Sequence, residues 1–485
     1  MTPFVAILKI TVKAALRSNI FRVLLFILLL TIFLLPVSIV GDGTAESFIK
    51  ISLNYCLSSI SLILSLSTIW LACYIMATDI ESYRIHMVIS KPIARATIWL
   101  AKWTGVVMIN SALLIISATT IYLMVMWHYS KIDFDKKEKE RINNQILVGR
   151  RVFKPFVPTL NTKTNNLFQL RLDALAKEGR QLSEKEQLLL RDNIKNYLSS
   201  SEGEVKYGMT KIWRYKNLTG LKKKKLPLYV RYRLYPDKFD LKKQMQTYGI
   251  WAVRVPEKTL AQYKKNPHNS DKALFITKTD EPELLPCALF KEFSFFSSNV
   301  IDKKNQVIIA FINADSSGNS LHFQTADGPD ILVKITGFLE NYIRAIFLIF
   351  LQIALLGAIA CAFGGLLSMP VSITFVFAYL IMGAASQYLV NFYNSLDPAV
   401  AAIKNNLNIY DLVGRSLSSF LMLFIVPISE FNTANLLSSG ELIELSFIAD
   451  KFFFGFLLKG FTIMLLGIYL FSKREFGLVV KNDEK

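Results

Sequence analysis

The residues of this chain that could do chemistry are spaced against it. Its four histidines, His86, His128, His268 and His322, are scattered and lack the spacing of metal ligands. No H-E-x-x-H or G-x-S-x-G segment occurs, so neither a zinc-hydrolase helix nor a nucleophile elbow is encoded. No G-x-x-x-x-G-K-[ST] loop is present to cradle nucleotide phosphates. The sequence therefore predicts no autonomous enzyme, no cofactor and no metal, and any energy used must come from a partner. Cys56, Cys73 and Cys361 fall in apolar runs, and Cys287 stands alone in a polar block, so no intrachain disulfide staples that block.

Two charged segments remain. The first spans residues 79–97 and holds Asp79, Glu81, Arg84, Lys91, Pro92 and Arg95. Ile80, Met87, Val88 and Ile89 are expected to bury against membrane or neighbouring helices, while Glu81, Arg84 and His86 point elsewhere. Pro92, with Ser90 just before it, suits the first turn of a new helix. The second segment is Lys211–Arg233, where nine residues are basic and none acidic. Lys211, Arg214, Lys222, Lys223, Lys224, Lys225, Arg231 and Arg233 form a candidate patch for anionic lipid head groups or an anionic polymer. A solvated basic face is the plainer reading, and nucleic acid is not expected outside a cell.

The elements that must position these segments are apolar runs. Val23–Val40 has no ionisable residue and matches a hydrocarbon core of roughly 30 Å. Ile51–Ala77 and Trp103–Trp127 follow, the latter with a Trp at each end in the interfacial position. Phe347–Met369 and Val371–Phe392 are read as two more spans hinged at Pro370, and Phe452–Phe471 as a sixth, interrupted by Lys459 within two turns of one end. Residues 417–428 are too short to cross and are read as a re-entrant or interfacial helix on the outer side. Six crossings put Lys9, Lys13, Arg17 and Arg22 on the same side as Lys473, Arg474, Lys481 and Lys485. The positive-inside rule makes that side cytoplasmic. The first run lacks a cleavage site and is read as a retained anchor.

The net charge of +19 is uneven. Residues 128–340 hold 38 Lys and Arg against 24 Asp and Glu, so +14 of it lies there. This block is expected outside, since long domains translocate largely regardless of charge. Within it, 165–199 has helical spacing. Gly179 is a plausible helix stop, and Ser183 with Glu186 makes a capping box. From about Leu226 the period becomes two. Leu228, Val230, Tyr232 and Leu234 alternate with Tyr229, Arg231 and Arg233, predicting a β-rich part over 226–340 of sandwich type. The fold class expected is a polytopic α-helical membrane protein of six transmembrane helices with an inserted α+β ectodomain, a helical hairpin plus a β-sandwich-like part.

Several pieces in order resemble the type-2 ABC exporter permease family (ABC-2). Lys13-Ala-Ala-Leu-Arg-Ser is similar to the family's amphipathic interface helix, here residues 1–18. Asp79 and Glu81, then Ser90-Lys-Pro-Ile-Ala-Arg95 and Lys102, resemble its coupling region. Val426-Pro-Ile-Ser-Glu-Phe-Asn432 resembles the outer segment before its last span, and Phe471-Ser-Lys-Arg-Glu-Phe its usual ending. The resemblance covers 1–127 and 341–485, and the insert at 128–340 matches a subgroup with a β-rich extracytoplasmic domain. It implies a permease in a bacterial cytoplasmic (inner) membrane, paired as a homodimer or heterodimer and surrounded by membrane lipid. A separate cytoplasmic ABC ATPase would dock on Asp79, Glu81, Arg84, Lys91, Pro92 and Arg95. The alternative is a membrane-anchored ectodomain acting in assembly or adhesion without transport.

Overall fold

The computed structural model describes residues 2–38, 45–131, 136–156, 160–179, 182–201, 203–221, 226–237, 246–254, 275–277, 281–324, 327–386, 388 and 409–475. The chain divides into a helical unit, Met1–Gly149 with Thr336–Lys485, and a second unit, Arg150–Ile335. The second unit is narrower than the expected 128–340. The helix expected to stop at Trp127 runs on to Lys131, and the one expected from Phe347 starts at Phe338.

The helical unit includes the helices α1 (Pro3–Arg17), α2 (Asn19–Ser38), α3 (Ala45–Glu81), α4 (Arg84–Ile89), α5 (Arg95–Lys131), α6 (Phe338–Gly364), α7 (Met369–Ala384), α8 (Ile409–Phe424) and α9 (Leu445–Lys473). Four among the described residues are long and apolar enough to cross a membrane: those covering Glu46–Glu81, Arg95–Ser130, Phe338–Gly364 and Leu445–Lys473. Pro3–Arg17 and Asn19–Leu35, bent by 69°, make a fifth if counted as one span. The chain therefore joins several membrane-length helices to a β-sheet unit, with four or five spans by this measure in place of the six expected.

The differences have local causes. Pro370 lies in the first turn of α7, where its missing N–H is harmless, so it starts a helix and hinges nothing. The helix that it opens is 16 residues long, ending at Ala384, and the rest of the expected Val371–Phe392 run lies mostly outside the described residues. The long helices outlast their apolar runs because backbone hydrogen bonding continues through charged termini. Trp103 packs against the bundle core. Its indole N–H donates to the Ala354 carbonyl at 3.0 Å inside the bundle. Lys459 is not near an end, because α9 starts before the apolar run does and places it halfway along. Of the run 417–428, residues up to Phe424 lie in α8, which begins earlier, at Ile409.

Serines of α3 join helices, as small polar residues do in bundles. Ser61 Oγ donates to Gln352 Oε1 at 3.2 Å, and Gln352 Nε2 donates to Ser65 Oγ at 2.9 Å.

The second unit contains a helical pair, Leu160–Lys177 and Glu184–Ser201. Gly179 follows the first with φ +75°, and Ser183 and Glu186 cap the second reciprocally, the Ser183 N–H reaching Glu186 Oε2 at 2.9 Å. The strands make two main sheets. One orders Val148–Phe153, Asp330–Gly337, Pro227–Tyr232 and Lys291–Phe296. The other orders Thr210–Tyr215, Val307–Asn313 and Gln246–Arg254, the last also pairing Phe275–Thr277 and Glu283–Pro286. Register puts Leu228, Val230, Phe293, Ile331 and Val333 on one inner face. Trp251 and Phe311 come from the other sheet, and the Trp251 ring lies 4.6 Å from Tyr232 and 5.3 Å from Phe293. Two sheets thus share one aromatic interior.

The β-rich part does not begin at Leu226. Val148–Phe153, Glu204–Val205 and Thr210–Tyr215 precede it. The first shows no burial alternation, the second is two residues long, and in the third Lys211 and Arg214 break up the apolar residues, so none stands out in the sequence.

Cys287 is a free, buried thiol, pushed up to about 11 by burial and then by the nearby Asp315 charge. Iodoacetamide at neutral pH is therefore expected to label it only after denaturation, and thermal unfolding of the unit should not respond to reductant. Rapid labelling of the native protein would contradict this placement.

Candidate functional site

The segment 79–97 folds as the sharp reversal between α3 and α5. Helix α3 ends where Tyr83 takes a left-handed backbone, φ 56°, the conformation that usually falls to glycine beyond a helix C-terminus. For an L-residue this costs about 1 kcal/mol. Tyr83 also keeps its ring 48% exposed. Helix α4 then runs to Ile89 and stops, because Pro92 disfavours helical backbone at the residue before it. Pro92 lies in the exposed turn, and α5 begins three residues later at Arg95. It ends one helix and does not start the next.

Ile85 is the residue of α4 that buries fully, at 2% exposure, with Val88 and Ile89 half-buried. Met87, expected to bury, is 68% exposed. The inner side is braced by α1, whose Ile7 packs with Ile98 and Ala101 alongside Phe4, Val88, Ile89 and Ile93. Thr11 of α1 approaches α5 so closely that a Cβ at Gly105 would lie 2.7 Å from its methyl group.

The charges split into two groups. Asp79 pairs with Lys102 at 2.7 Å, and Lys102 also donates to the Ile75 carbonyl at 3.1 Å. Glu81 accepts from the Met369 N–H at 3.0 Å, placing a carboxylate on the N-terminus of α7. Arg95 donates to the carbonyls of Ser472 and Arg474 at 2.8 and 2.7 Å, at the C-terminus of α9. Arg474 in turn donates to the Gly365 carbonyl at 2.6 Å, just beyond α6. Glu81, Arg95 and Arg474 thus satisfy helix-end atoms that would otherwise lack partners, while the Asp79–Lys102 pair joins α3 to α5. Arg84, Lys91 and Pro92 belong to the second group and face outward beside Met87. Of the six residues expected to act together, Asp79, Glu81 and Arg95 tie helix ends, and Arg84, Lys91 and Pro92 form an exposed surface.

Among the described residues, the other candidate patch is not gathered in one place. Arg214 alternates with buried Trp213 and Tyr215 and faces outward from one sheet. Arg231 and Arg233 face outward from the other sheet, where Arg233 pairs with Asp327 and lies 4.4 Å from the Phe290 ring centre. Lys211 lies over the Trp213 ring at 5.8 Å. Lys222, Lys223, Lys224 and Lys225 lie outside the described residues. Among the described residues no cluster of His, Cys, Asp and Glu has the arrangement of a metal site.

Sequence reading missed Tyr83 as a strained, exposed aromatic and missed the link from Glu81 to Met369. The strain had no local signal. The link joins residues far apart in the chain. No family model matches this sequence, and comparison with curated proteins and with solved structures gave no match.

Proposed function

We propose that this chain is the membrane subunit of an ATP-driven exporter of the type-2 ABC permease kind, in a bacterial cytoplasmic membrane. In this reading the bent pair α1–α2 and helices α3, α5, α6, α7 and α9 make six crossings with both termini in the cytoplasm. A separate ATPase docks on α4, and this chain binds no ATP. Two permease subunits, alike or homologous, enclose the path.

The observation that carries this reading is the wiring of α4. Its outer side presents Arg84 and Met87, with Lys91 just beyond it. The flanking charges of the same reversal reach α5, α7 and α9 through Asp79, Glu81 and Arg95. A displacement of α4 that moves the adjoining ends of α3 and α5 is therefore passed on to α7 and α9. An ATPase whose nucleotide states bind two positions of α4 unequally would shift the bundle between two conformations by that difference in affinity.

Two measurements test it. Reporter fusions at Lys91 and at the C-terminal tail should report cytoplasm, and fusions near Ser270 the outside. An externally accessible C-terminus would overturn the six-crossing arrangement. Purification of the full chain from its native membrane should bring an ABC ATPase with it. Recovery without any ATPase would favour the anchored assembly or adhesion role.

A further inference from the structure

Lys459 stands halfway along α9, a helix of 29 residues of which only 11% of the most apolar window is buried within the chain. A lysine at that depth needs a reason. Part of it is visible. Lys459 Nζ donates to the Met422 and Ile425 carbonyls at 2.6 and 2.9 Å, neutralising the C-terminus of α8. An ammonium has three donors, so one is left over. No carboxylate lies within ion-pair distance of Lys459 among the described residues.

Beside this ammonium is a cavity of about 120 Å³, walled by Val426, Pro427, Phe431 and Phe454. The residues 451–460 form a π-helical stretch, a distortion that often accompanies function. Within it, Gly455 leaves room that a side chain would take up, since a Cβ there would lie 3.2 Å from the Phe431 ring. At the other end of the cavity are Asp450 and Lys451. Lys451 is shared by two carboxylates, Glu430 and, at 3.0 Å, Asp450. The lining itself holds the cations Lys451 and Lys459 and the carboxylate of Asp450; Glu430, which does not line the cavity, helps neutralise Lys451, so Lys459 is the cation in excess and Asp450 is only partly balanced. Phe454, on the wall, is 60% exposed and offers a ring face that suits an ammonium.

We infer that this cavity holds a phosphate-plus-ammonium headgroup, the phosphate on Lys459 and the ammonium at Asp450 and Phe454. The volume is small enough to admit a headgroup alone. It does not suit acyl chains. Those have a separate place, because Leu457, Leu458, Phe461 and Leu465 are exposed on α9 and uniformly apolar. A phosphatidylethanolamine lipid is thus the source that fits, and a soluble phosphoethanolamine is the other carrier of the same chemistry. The inference depends on the helical unit lying in a bilayer and not on the ATPase reading.

The test uses the full chain, stripped of lipid in detergent and then given equal amounts of phosphatidylethanolamine and phosphatidylglycerol. Retained lipid is read by native mass spectrometry. Wild type should retain phosphatidylethanolamine in preference to phosphatidylglycerol. Lys459→Gln should weaken retention about tenfold or more, the weight of one charge-assisted hydrogen bond, and Lys459→Arg should restore it. Asp450→Asn, a half-exposed position, should bring the ratio of the two lipids toward one while the protein stays folded. This variant decides the matter if Lys459→Gln fails to fold. Soluble phosphoethanolamine should compete only in large excess; competition at equal concentration would overturn the lipid as the source. Identical lipid retention and ratio in wild type, Lys459→Gln and Asp450→Asn would overturn the site.

Discussion

On the proposed exporter reading, a chain carrying Arg84→Glu together with Met87→Asp should insert normally, unfold at the wild-type temperature and lose the ATPase. Both side chains are exposed, with Arg84 outward and Met87 at 68%, and neither bonds a helix end. Exposed substitutions away from such features change stability by about 0.5 kcal/mol or less. Binding is another matter. An apolar anchor beside a cation is the usual make-up of an interface centre, where removal costs about 2–4 kcal/mol, or roughly 30- to 1,000-fold in affinity. Arg95→Ala should behave in the opposite way. It leaves the outer surface of α4 intact and releases the C-terminus of α9, so on the same reading the ATPase should still co-purify while its turnover no longer responds to this chain. Co-purification of the ATPase at wild-type yield with the Arg84→Glu, Met87→Asp chain would remove α4 as the docking element.

The largest stability effect should come from the second unit. Arg150 is 1% exposed and meets Glu292 in a bidentate pair, at 2.7 and 3.1 Å, with the Tyr229 ring 5.8 Å from its guanidinium. The two residues come from the outermost strands of the four-stranded sheet, so the pair spans the two strands between them. Glu292→Gln leaves a buried guanidinium without its counter-charge and should cost about 3–5 kcal/mol. A unit of this size loses about 2–4 °C per kcal/mol, so melting should fall by roughly 10 °C. The double change Arg150→Met, Glu292→Leu should recover most of that loss, because it removes the burial of both charges together. A single change that melts with wild type would mean that water reaches the pair.

The parts of this protein that were legible in its sequence are those set by neighbours in the chain. Hydropathy is a local sum, so α3 and α5 were visible as apolar runs, though their ends were not, because a helix continues wherever its backbone bonds do. The alternation from Leu228 to Leu234 showed one wet and one dry face, and the Ser183–Glu186 cap was readable because its partners stand three residues apart. What only the tertiary structure decided is the use made of each charge. Glu81 and Arg95 looked alike as loop charges, yet one meets Met369 and the other Ser472, each nearly 300 residues or more away. Lys459 looked like an interruption near a helix end and is the cap of another helix. Arg150 carried no signal in the sequence and is fully buried against Glu292. No local period encodes such pairings, because a charge in a low-dielectric interior is stable only beside a partner whose position the whole fold supplies.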